Sequence, residues 1–356
     1  MRRRKILFLA HSQSIHVKKW ITYFVRKDWD VHVISFHPET IEGTTHYYLA
    51  VGEISADGNN FRYLKKLPRI IFLISRIRPD IINAHYLTSF GFLAYLTGMK
   101  KICITLQGSD VFLYSVRNVL YRFLSKRILR KALYIFSVSD TMTRFICSQF
   151  KLNTSNITTL QYGIDTGLFR NSKPFPERSF TFITNRMFVY NSNYPLILKI
   201  MHRLKLDNIN YSLLIIGSGP LKQHIDEMID HYHLKDRITR LDAVAQSDLA
   251  QFLNDAQIYI SFTQSDGTPL SLFEAASCGL YPILSMNDAN VEWINKGLKG
   301  TCVGLTDVPG IITTIKHILQ TIHPSEYQTE NSRFISTYMS YDYNMAIIEK
   351  KVASLI

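Results

Sequence analysis

The sequence alternates short apolar segments with segments of helical periodicity, and it does so twice. In the first half, apolar runs such as KILFLA (residues 5–10) and DIINAH (residues 80–85) are separated by stretches whose apolar residues recur every three to four positions. Strands that alternate with helices predict a parallel sheet covered by helices on both faces. The alternation restarts at FTFIT (residues 180–184) and continues through QIYISFT (residues 257–263).

The segment between the two halves, residues 171–179, reads NSKPFPERS and has two prolines and no periodicity, which is typical of a linker. We therefore predict an α/β chain with two doubly wound, Rossmann-like domains in tandem, residues 1–170 and 180–332. Ligands bind at the carboxyl ends of the strands in such sheets, so we expect the domains to face each other across a cleft. Residues 333–356 are predicted to form a helix that packs back on the first domain.

The composition is that of a globular protein. Hydrophobic residues make up 46% of the 356 residues and charged residues 19%, which excludes long disordered tracts. The four cysteines form no C-x-x-C pair, which argues against a thiolate zinc site and favours a reducing compartment. The basic N-terminus precedes an apolar run of only residues 6–10, too short for a signal peptide or a membrane span. We expect a cytoplasmic protein that does not span a membrane.

The positive charge is concentrated in the first half. Residues 1–170 carry 25 Lys and Arg against 10 Asp and Glu, whereas residues 171–356 carry 16 against 18. The predicted helix at residues 117–131 places basic side chains on one side, namely Arg122, Lys126 and Arg130. Its predicted apolar face consists of Leu120, Phe123, Leu124 and Ile128. Such a helix favours peripheral binding to the anionic inner face of the cell membrane, and the alternative is a solvated face of a core helix.

The segment SDGTPLSLFE, residues 265–274, follows a predicted strand and opens a predicted helix. Thr268 suits the N-cap and Pro269 the first helical position, which leaves backbone N–H groups available to an anion. The carboxylates of Asp266 and Glu274 can accept hydrogen bonds from hydroxyl groups such as those of a ribose. The alternative is an ordinary turn and cap.

In the alternative of an ordinary turn and cap, Ser271 and Glu274 form a capping box.

Two further features point to phosphate chemistry. Gly217 and Gly219 lie in a turn between a strand and a helix, where a backbone can approach a phosphate. Arg186 follows the first strand of the second half, where a guanidinium suits a diphosphate. The alternatives are a plain strand-to-helix turn and a solvated arginine.

The stretch from Asp266 to Glu274 resembles the E-x7-E motif of glycosyltransferase family 4, whose members have the GT-B fold. Other parts of the chain resemble the family in the expected order. They are His16-Val17-x-x-Trp20, residues 80–86, Gln107-Gly108-Ser109-Asp110, residues 161–165 and Gly217-Ser218-Gly219-Pro220.

The chain departs from the family pattern at four places. The first acid of the motif is Asp266 rather than Glu, and the usual His-Gly is Gln107-Gly108. The glycine pair of the first loop is absent from residues 11–16, and Asn191 stands where a lysine is usual. These departures leave open which group supplies the missing phosphate contact.

The resemblance implies a retaining glycosyltransferase that uses a nucleotide-diphosphate sugar, without a metal or another cofactor. Glu274 would bind the ribose and Asp266 the sugar hydroxyls, Arg186 would neutralise the diphosphate, and Gln107 and His85 would line the site from the first domain. The other residues assigned to the nucleotide sugar are Ser14, His16, Gly217, Gly219, Gly267, Thr268, Pro269, Leu270 and Ser271.

The acceptor implied by the resemblance is a hydroxyl group of a glycan, a lipid-linked precursor or another molecule. Two alternatives stay open. Some sugar-nucleotide epimerases share the GT-B architecture, and they need dedicated acid–base carboxylates or histidines in the cleft. Nucleoside diphosphate that accumulates only when an acceptor is added would favour transfer. A basic nucleic-acid-binding protein would interleave aromatic and basic residues on an exposed platform. No nucleic-acid motif is visible in the sequence, so we expect no nucleic-acid partner.

Overall fold

A computed structural model describes residues 2–51, 61–108, 110–175, 180–266 and 268–356. The chain divides into two compact units. The first unit comprises Met1–Tyr162 and Tyr343–Ile356, and the second comprises Gly163–Asp342.

The described part of the first unit is built on seven parallel strands. Strands β1 to β7 are Lys5–Leu9, Asp30–Ser35, Thr45–Tyr48, Ile81–His85, Ile102–Thr105, Tyr134–Ser137 and Ile157–Thr159. Helices α1 to α5 are Ile15–Arg26, Leu67–Ile77, Phe92–Leu96, Val119–Lys131 and Asp140–Phe150. The sheet order is β3-β2-β1-β4-β5-β6-β7. All residues of β4 and nearly all of β1 are buried, as expected of strands covered on both faces.

Proline sets the start of α2. A 3-10 turn at Phe61–Lys66 precedes α2, and Pro68 lies in the first helical turn. Proline is tolerated there because the first N–H groups of a helix have no intrahelical partner. The segment from residue 61 to residue 77 is therefore divided just before Pro68 into a 3-10 turn and an α-helix.

Among its described residues, the second unit has six parallel strands. Strands β8 to β13 are Thr181–Thr184, Ser212–Ile216, Ile238–Leu241, Ile258–Ser261, Tyr281–Ser285 and Thr301–Val303. Helices α6 to α12 are Tyr194–Leu206, Lys222–His231, Gln246–Asp255, Leu270–Ser277, Asp288–Asn295, Val308–Thr321 and Pro324–Tyr338. The sheet order is β10-β9-β8-β11-β12-β13. Its core contains aliphatic and aromatic residues of both faces, so the unit has a hydrophobic core of its own.

The unit boundary lies earlier than the sequence predicts. Phe169 and Phe175 are buried in the core of the second unit. The amide of Ser172 donates to Asn254 Oδ1, and Gln328 Nε2 donates to the carbonyl of Lys173. Residues 171–175 of the predicted linker are therefore fastened to the second unit, and residues 176–179 lie outside the described part of the chain.

The C-terminal segment that belongs to the first unit also begins later than predicted. Residues 333–338 belong to α12, and Ile335 is buried in the second unit. Helix α13, Tyr341–Ala353, then contacts the first unit, where Asn344 Nδ2 donates to the Gln161 carbonyl and Trp29 Nε1 donates to Glu349. The segment assigned to the first unit is thus 343–356 rather than 333–356.

Candidate functional site

In the second unit, two predicted site residues lie at the point where the order of the strands reverses. In the second unit the chain moves outward from β8 through β9 to β10, then crosses back so that β11 lies on the other side of β8. The loops that follow β8 and β11 therefore leave the sheet side by side, and they carry Arg186 and Asp266. Ligands of open α/β sheets bind at such a switch point.

Arg186 and Asp266 form an ion pair. Arg186 Nη2 lies 2.7 Å from Asp266 Oδ2, and the two side chains are only 19% and 13% exposed. Burial lowers the pKa of the Arg186 guanidinium, but the charge and hydrogen bond of Asp266, together with the neighbouring Tyr259 and Tyr194, raise it more in sum, so the pKa lies above its usual value. The structure therefore brings together two of the residues that the sequence assigned to the site.

The hydroxyl of Ser271 links this pair to the core. Ser271 Oγ accepts one hydrogen bond of 2.9 Å from Arg186 Nη1 and another of 2.9 Å from the hydroxyl of the buried Tyr259. Burial raises the pKa of Tyr259, so the phenol stays protonated and can donate. Sequence reasoning missed Tyr259, since a strand tyrosine carries no signal beyond core packing.

The capping predicted for α9 is wrong. The N-cap is Pro269 rather than Thr268, and no side chain caps the helix. Ser271 lies inside the helix with its hydroxyl turned to Arg186, so the capping box with Glu274 does not form. The amide of Thr268 instead donates to Asp266 Oδ1 at 3.2 Å. The carbonyl of Pro269 accepts a helical hydrogen bond of 3.3 Å from the amide of Phe273, and Thr268 lies in the turn before the helix.

The second acid of the motif lies beside the first strand of the unit. Glu274 is 9% exposed, and its Oε2 accepts a hydrogen bond of 3.2 Å from Asn185 Nδ2. The Oδ1 atom of Asn185 is buried and has no hydrogen-bond partner within the described residues. Two consecutive residues after β8 thus bind the two acids: Asn185 donates to Glu274, and Arg186 forms the ion pair with Asp266. Their adjacency in the sequence was visible, but the role of Asn185 was not assigned.

Gly217 and Gly219 allow the Arg186 loop to pack against the next turn. A Cβ at Gly217 would lie 2.5 Å from the carbonyl oxygen of Arg186, and one at Gly219 would lie 2.6 Å from that of Phe188. The amide of Phe188 donates to the carbonyl of Ser218 across this contact. The two glycines are therefore needed for close backbone packing, and their contact with a phosphate stays a prediction.

We expect Gly219→Ala to lower the free energy of unfolding by about 1–3 kcal/mol, because Gly219 also has a φ of +150°. Denaturant unfolding of the variant measures this loss. Gly304→Ala is the matched control, since a Cβ there would meet no atom within 4 Å. Equal stability of the two variants would contradict the packing role.

Asn191, which replaces the family's lysine, holds the loop before the motif. Its Nδ2 donates to the carbonyl of Ser265 at 2.9 Å, and its Oδ1 accepts from the amide of Ser265 at 3.1 Å. A lysine could not make both bonds, since it has no acceptor. Of the other predicted residues, Pro269 is buried, Leu270 begins α9, and Gly267 lies outside the described residues.

The first unit has its own cluster at the carboxyl edge of its sheet. His85, the last residue of β4, is fully buried, and its Nδ1 lies 3.0 Å from Gln107 Nε2. Burial lowers the pKa of His85 to about 3, so the ring is neutral. Trp20 packs edge-to-face against the ring with centroids 5.2 Å apart. Because His85 has no exposed surface, it can orient Gln107 but does not itself line a binding surface as the sequence predicted.

Ser14 and His16 lie at the start of α1, after β1. Ser14 is the N-cap by backbone geometry, but its side chain makes no capping bond and instead lies 3.4 Å from the hydroxyl of Tyr86. His16 Nδ1 lies 2.6 Å from the hydroxyl of Tyr162. Both residues are partly exposed, so they are accessible to a ligand at this edge.

Asp110 braces the loop that carries Gln107. Its carboxylate accepts from the amides of Leu87, Gln107 and Gly108 at 2.8, 3.2 and 2.8 Å. It is only 3% exposed, and burial raises its pKa against the opposing effect of these three bonds. Asp110 therefore fixes two loops at once. Its position within the Gln107-to-Asp110 segment is visible in the sequence, but its role is not.

Helix α4 does not bury the apolar face predicted for it. Ile128 is buried, but Leu120 and Phe123 are 56% and 52% exposed, and Val119 is 85% exposed. The guanidinium of Arg127 lies over the Phe123 ring at 4.9 Å. The helix buries instead the side of Ser125, Ile128 and Leu129.

Neither a membrane-spanning helix nor a metal cluster is found in the described residues. Within these residues no helix combines the length and the apolar character needed to cross a bilayer. No three His, Cys, Asp or Glu side chains in the same part of the chain group together as ligands of a metal ion would. A reaction without a metal stays a prediction.

Comparison with known proteins identifies two matching family models. Residues 5–139 match the model described as glycosyl transferase 4-like, and residues 165–333 match the model described as glycosyl transferases group 1. The two matches correspond to the two units and together cover most of the chain.

Individual relatives are distant. The chain is 23% identical to the gpi3 subunit of phosphatidylinositol N-acetylglucosaminyltransferase of Schizosaccharomyces pombe. The aligned 252 residues cover 68% of this chain and 54% of that protein. It is 21% identical over 293 residues to the putative colanic acid biosynthesis glycosyltransferase WcaL of Salmonella typhimurium. This alignment covers 80% of this chain and 69% of that protein. The chain thus spans only about half the length of the Schizosaccharomyces relative.

A solved structure has the same fold over nearly the whole chain. The Anabaena protein HepE in complex with UDP aligns with a TM-score of 0.77 and 11% sequence identity, covering 98% of this chain and 100% of that one. The family models and the two parallel α/β sheets agree, and the chain therefore belongs to the GT4-type glycosyltransferases with the two-domain GT-B fold.

Proposed function

We propose that this chain transfers a glycosyl group from a nucleotide-diphosphate sugar to an acceptor hydroxyl, with retention of the anomeric configuration. The observation that carries the proposal is the pairing of Asn185 with Glu274 and of Arg186 with Asp266 at the switch point of the second sheet. These four side chains are the acceptors and donors that a ribose, a diphosphate and a sugar require. The similarity in fold to a protein in complex with UDP supports the choice of donor.

The chemical task of the site is to stabilise a leaving group. In the proposed reaction the bond from the anomeric carbon to the diphosphate oxygen breaks, and a bond to the acceptor oxygen forms. The acceptor proton passes to an oxygen of the departing diphosphate. Arg186 and the N-terminus of α9 would stabilise the negative charge that develops on the diphosphate. No metal or other cofactor is required in this proposal.

The other residues are assigned by what they can hydrogen-bond. Glu274 would accept from the ribose hydroxyls, and Asp266 from the hydroxyls of the transferred sugar. From the first unit, the Gln107 amide would contact substrate directly, whereas His85 would act through Gln107, since it is buried beneath it. Ser14 and His16 would contribute further polar contacts.

The test of this function is a donor screen. Uridine, guanosine and adenosine diphosphates are added separately, and the melting temperature of the protein is measured. A ligand at a hundred times its dissociation constant adds about 2.7 kcal/mol of stability, so the matching nucleotide raises the melting temperature. We expect one of the three to do so, and a protein stabilised by none of them would contradict the proposal.

We further propose that the protein is cytoplasmic and binds the anionic inner face of the cell membrane, where its acceptor is a lipid-linked or surface-glycan precursor. Arg122 and Arg130 are exposed on α4, as are Leu120 and Phe123. A second basic cluster lies next to the helix, because Tyr63 of the Phe61–Lys66 turn and Tyr121 of α4 line the same small cavity. That turn contributes Arg62, Lys65 and Lys66.

Exposed apolar side chains such as Leu120 and Phe123, on a helix that also exposes basic side chains, are suited to the boundary between lipid headgroups and acyl chains. The names of the Schizosaccharomyces and Salmonella relatives, which refer to phosphatidylinositol and to colanic acid, agree with a lipid or surface-glycan acceptor. No nucleic-acid partner is proposed.

We expect the protein to sediment with vesicles that contain phosphatidylglycerol more than with phosphatidylcholine vesicles, and to be released by high salt. Basic residues near an anionic leaflet contribute about 1 kcal/mol each, and salt screens them. Replacing Arg122, Lys126 and Arg130 with Glu should abolish sedimentation while nucleotide binding is retained. Equal recovery with neutral and anionic vesicles would contradict the membrane proposal.

A further inference from the structure

The two charged groups that the proposed function assigns to different parts of the donor are bound to each other. Arg186 Nη2 donates to Asp266 Oδ2 at 2.7 Å and Nη1 donates to Ser271 Oγ at 2.9 Å. The other carboxylate oxygen of Asp266 accepts from the amide of Thr268 at 3.2 Å. Both side chains therefore already have internal partners that a donor would have to share or replace.

The environment makes this pairing strong. Less than a fifth of either side chain is exposed, so water screens their attraction poorly. Asn191, which replaces the family's lysine, is committed to Ser265 and carries no charge. Asp266 therefore neutralises the guanidinium that this loop offers to a diphosphate.

We infer that Asp266 is an internal competitor of the nucleoside diphosphate for Arg186. This inference rests on the proposed function. When the donor is bound, the sugar hydroxyls engage Asp266 and the diphosphate engages Arg186. After transfer, the sugar contact is lost, and Asp266 returns to Arg186 and displaces the product. The pair would thus weaken binding of the sugar-free product and promote its release.

The inference predicts a gain of affinity from a loss of charge. Asp266→Asn keeps the size of the side chain and an oxygen for the Thr268 amide, but it removes the anion beside Arg186. We expect the nucleoside diphosphate selected in the donor screen to bind about tenfold more tightly to this variant, which corresponds to about 1.4 kcal/mol. If Asp266 serves only to bind the sugar, its replacement leaves the affinity for a sugar-free diphosphate unchanged.

The experiment is a thermodynamic cycle measured by calorimetric titration of that nucleoside diphosphate. The wild type, Asp266→Asn, Arg186→Gln and the double variant are compared. The gain from Asp266→Asn should vanish in the Arg186→Gln background, because no cation is left to release. Asp236→Asn is the matched control, since Asp236 also pairs with a cation, that of Lys205, but lies before β10 at the opposite end of the strands.

The outcomes separate this inference from the function on which it rests. A wild type and variants that bind none of the three nucleoside diphosphates overturn both. A wild type that binds one of them, with an Asp266→Asn variant that binds it no better, overturns the inference alone. Asp266→Ala, which also removes the charge, is titrated in the same way. If either variant still binds the nucleoside diphosphate more tightly when Arg186 is replaced by Gln, the inference is overturned as well.

Discussion

Replacing Arg186 with Ala is expected to lower the rate of glycosyl transfer by about 10²–10³-fold, the scale of losing one preorganised donor to a developing charge. The negative charge on the leaving diphosphate develops mainly in the transition state, so the turnover number should fall more than the affinity for the donor. Steady-state kinetics with varied donor concentration separate the two effects.

The control for this variant is Arg203→Ala. Arg203 is also in the second unit and also pairs with an aspartate, Asp207, but its side chain is 59% exposed on α6. Its loss should leave the turnover number unchanged, since exposed ion pairs of this kind contribute little. Normal turnover in Arg186→Ala would remove Arg186 from the reaction.

Replacing Glu274 with Gln is expected to weaken nucleotide binding by about 1.5–3 kcal/mol, the scale of hydrogen bonds to a charged group. Gln keeps the size of the side chain and an oxygen that can accept from Asn185, but it removes the charge that would bind the ribose hydroxyls. Calorimetric titration with the matching nucleoside diphosphate measures the change.

Glu330→Gln provides the comparison, because Glu330 pairs with Lys299 on an exposed part of α12. That variant should bind nucleotide as the wild type does. A Glu274→Gln protein with unchanged affinity but a lower free energy of unfolding would show that Glu274 is a structural residue and not a ligand of the ribose.

The fold could be predicted because apolar runs and helical periodicity repeat along the chain. The helix predicted at residues 117–131 is found as Val119–Lys131, and the strand predicted at 5–10 is found as Lys5–Leu9. Strand β3 was missed, since it is a short edge strand with half-exposed residues and lacks a clear period. The exposed faces of α4 were also misjudged, because periodicity shows that a helix has an apolar side but not which neighbour covers it.

The site could be predicted in its residue types but not in its pairings. Asp266, Glu274 and Arg186 lie together as the motif suggests. Asn185 and Tyr259 hold them in place, and neither residue has a sequence pattern that distinguishes it from any polar residue after a strand or any core aromatic residue. The burial of His85 depends on Trp20, which comes from a helix 65 residues earlier.

The central claim is tested most directly by the product of the reaction. The purified protein is incubated with the nucleotide sugar that matches the diphosphate from the donor screen, with and without a lipid-linked or glycan acceptor. We predict that nucleoside diphosphate accumulates only with the acceptor, and that nuclear magnetic resonance shows the new linkage with the anomeric configuration of the donor. Release of nucleoside diphosphate at the same rate without any acceptor, together with an epimerised sugar, would contradict the account.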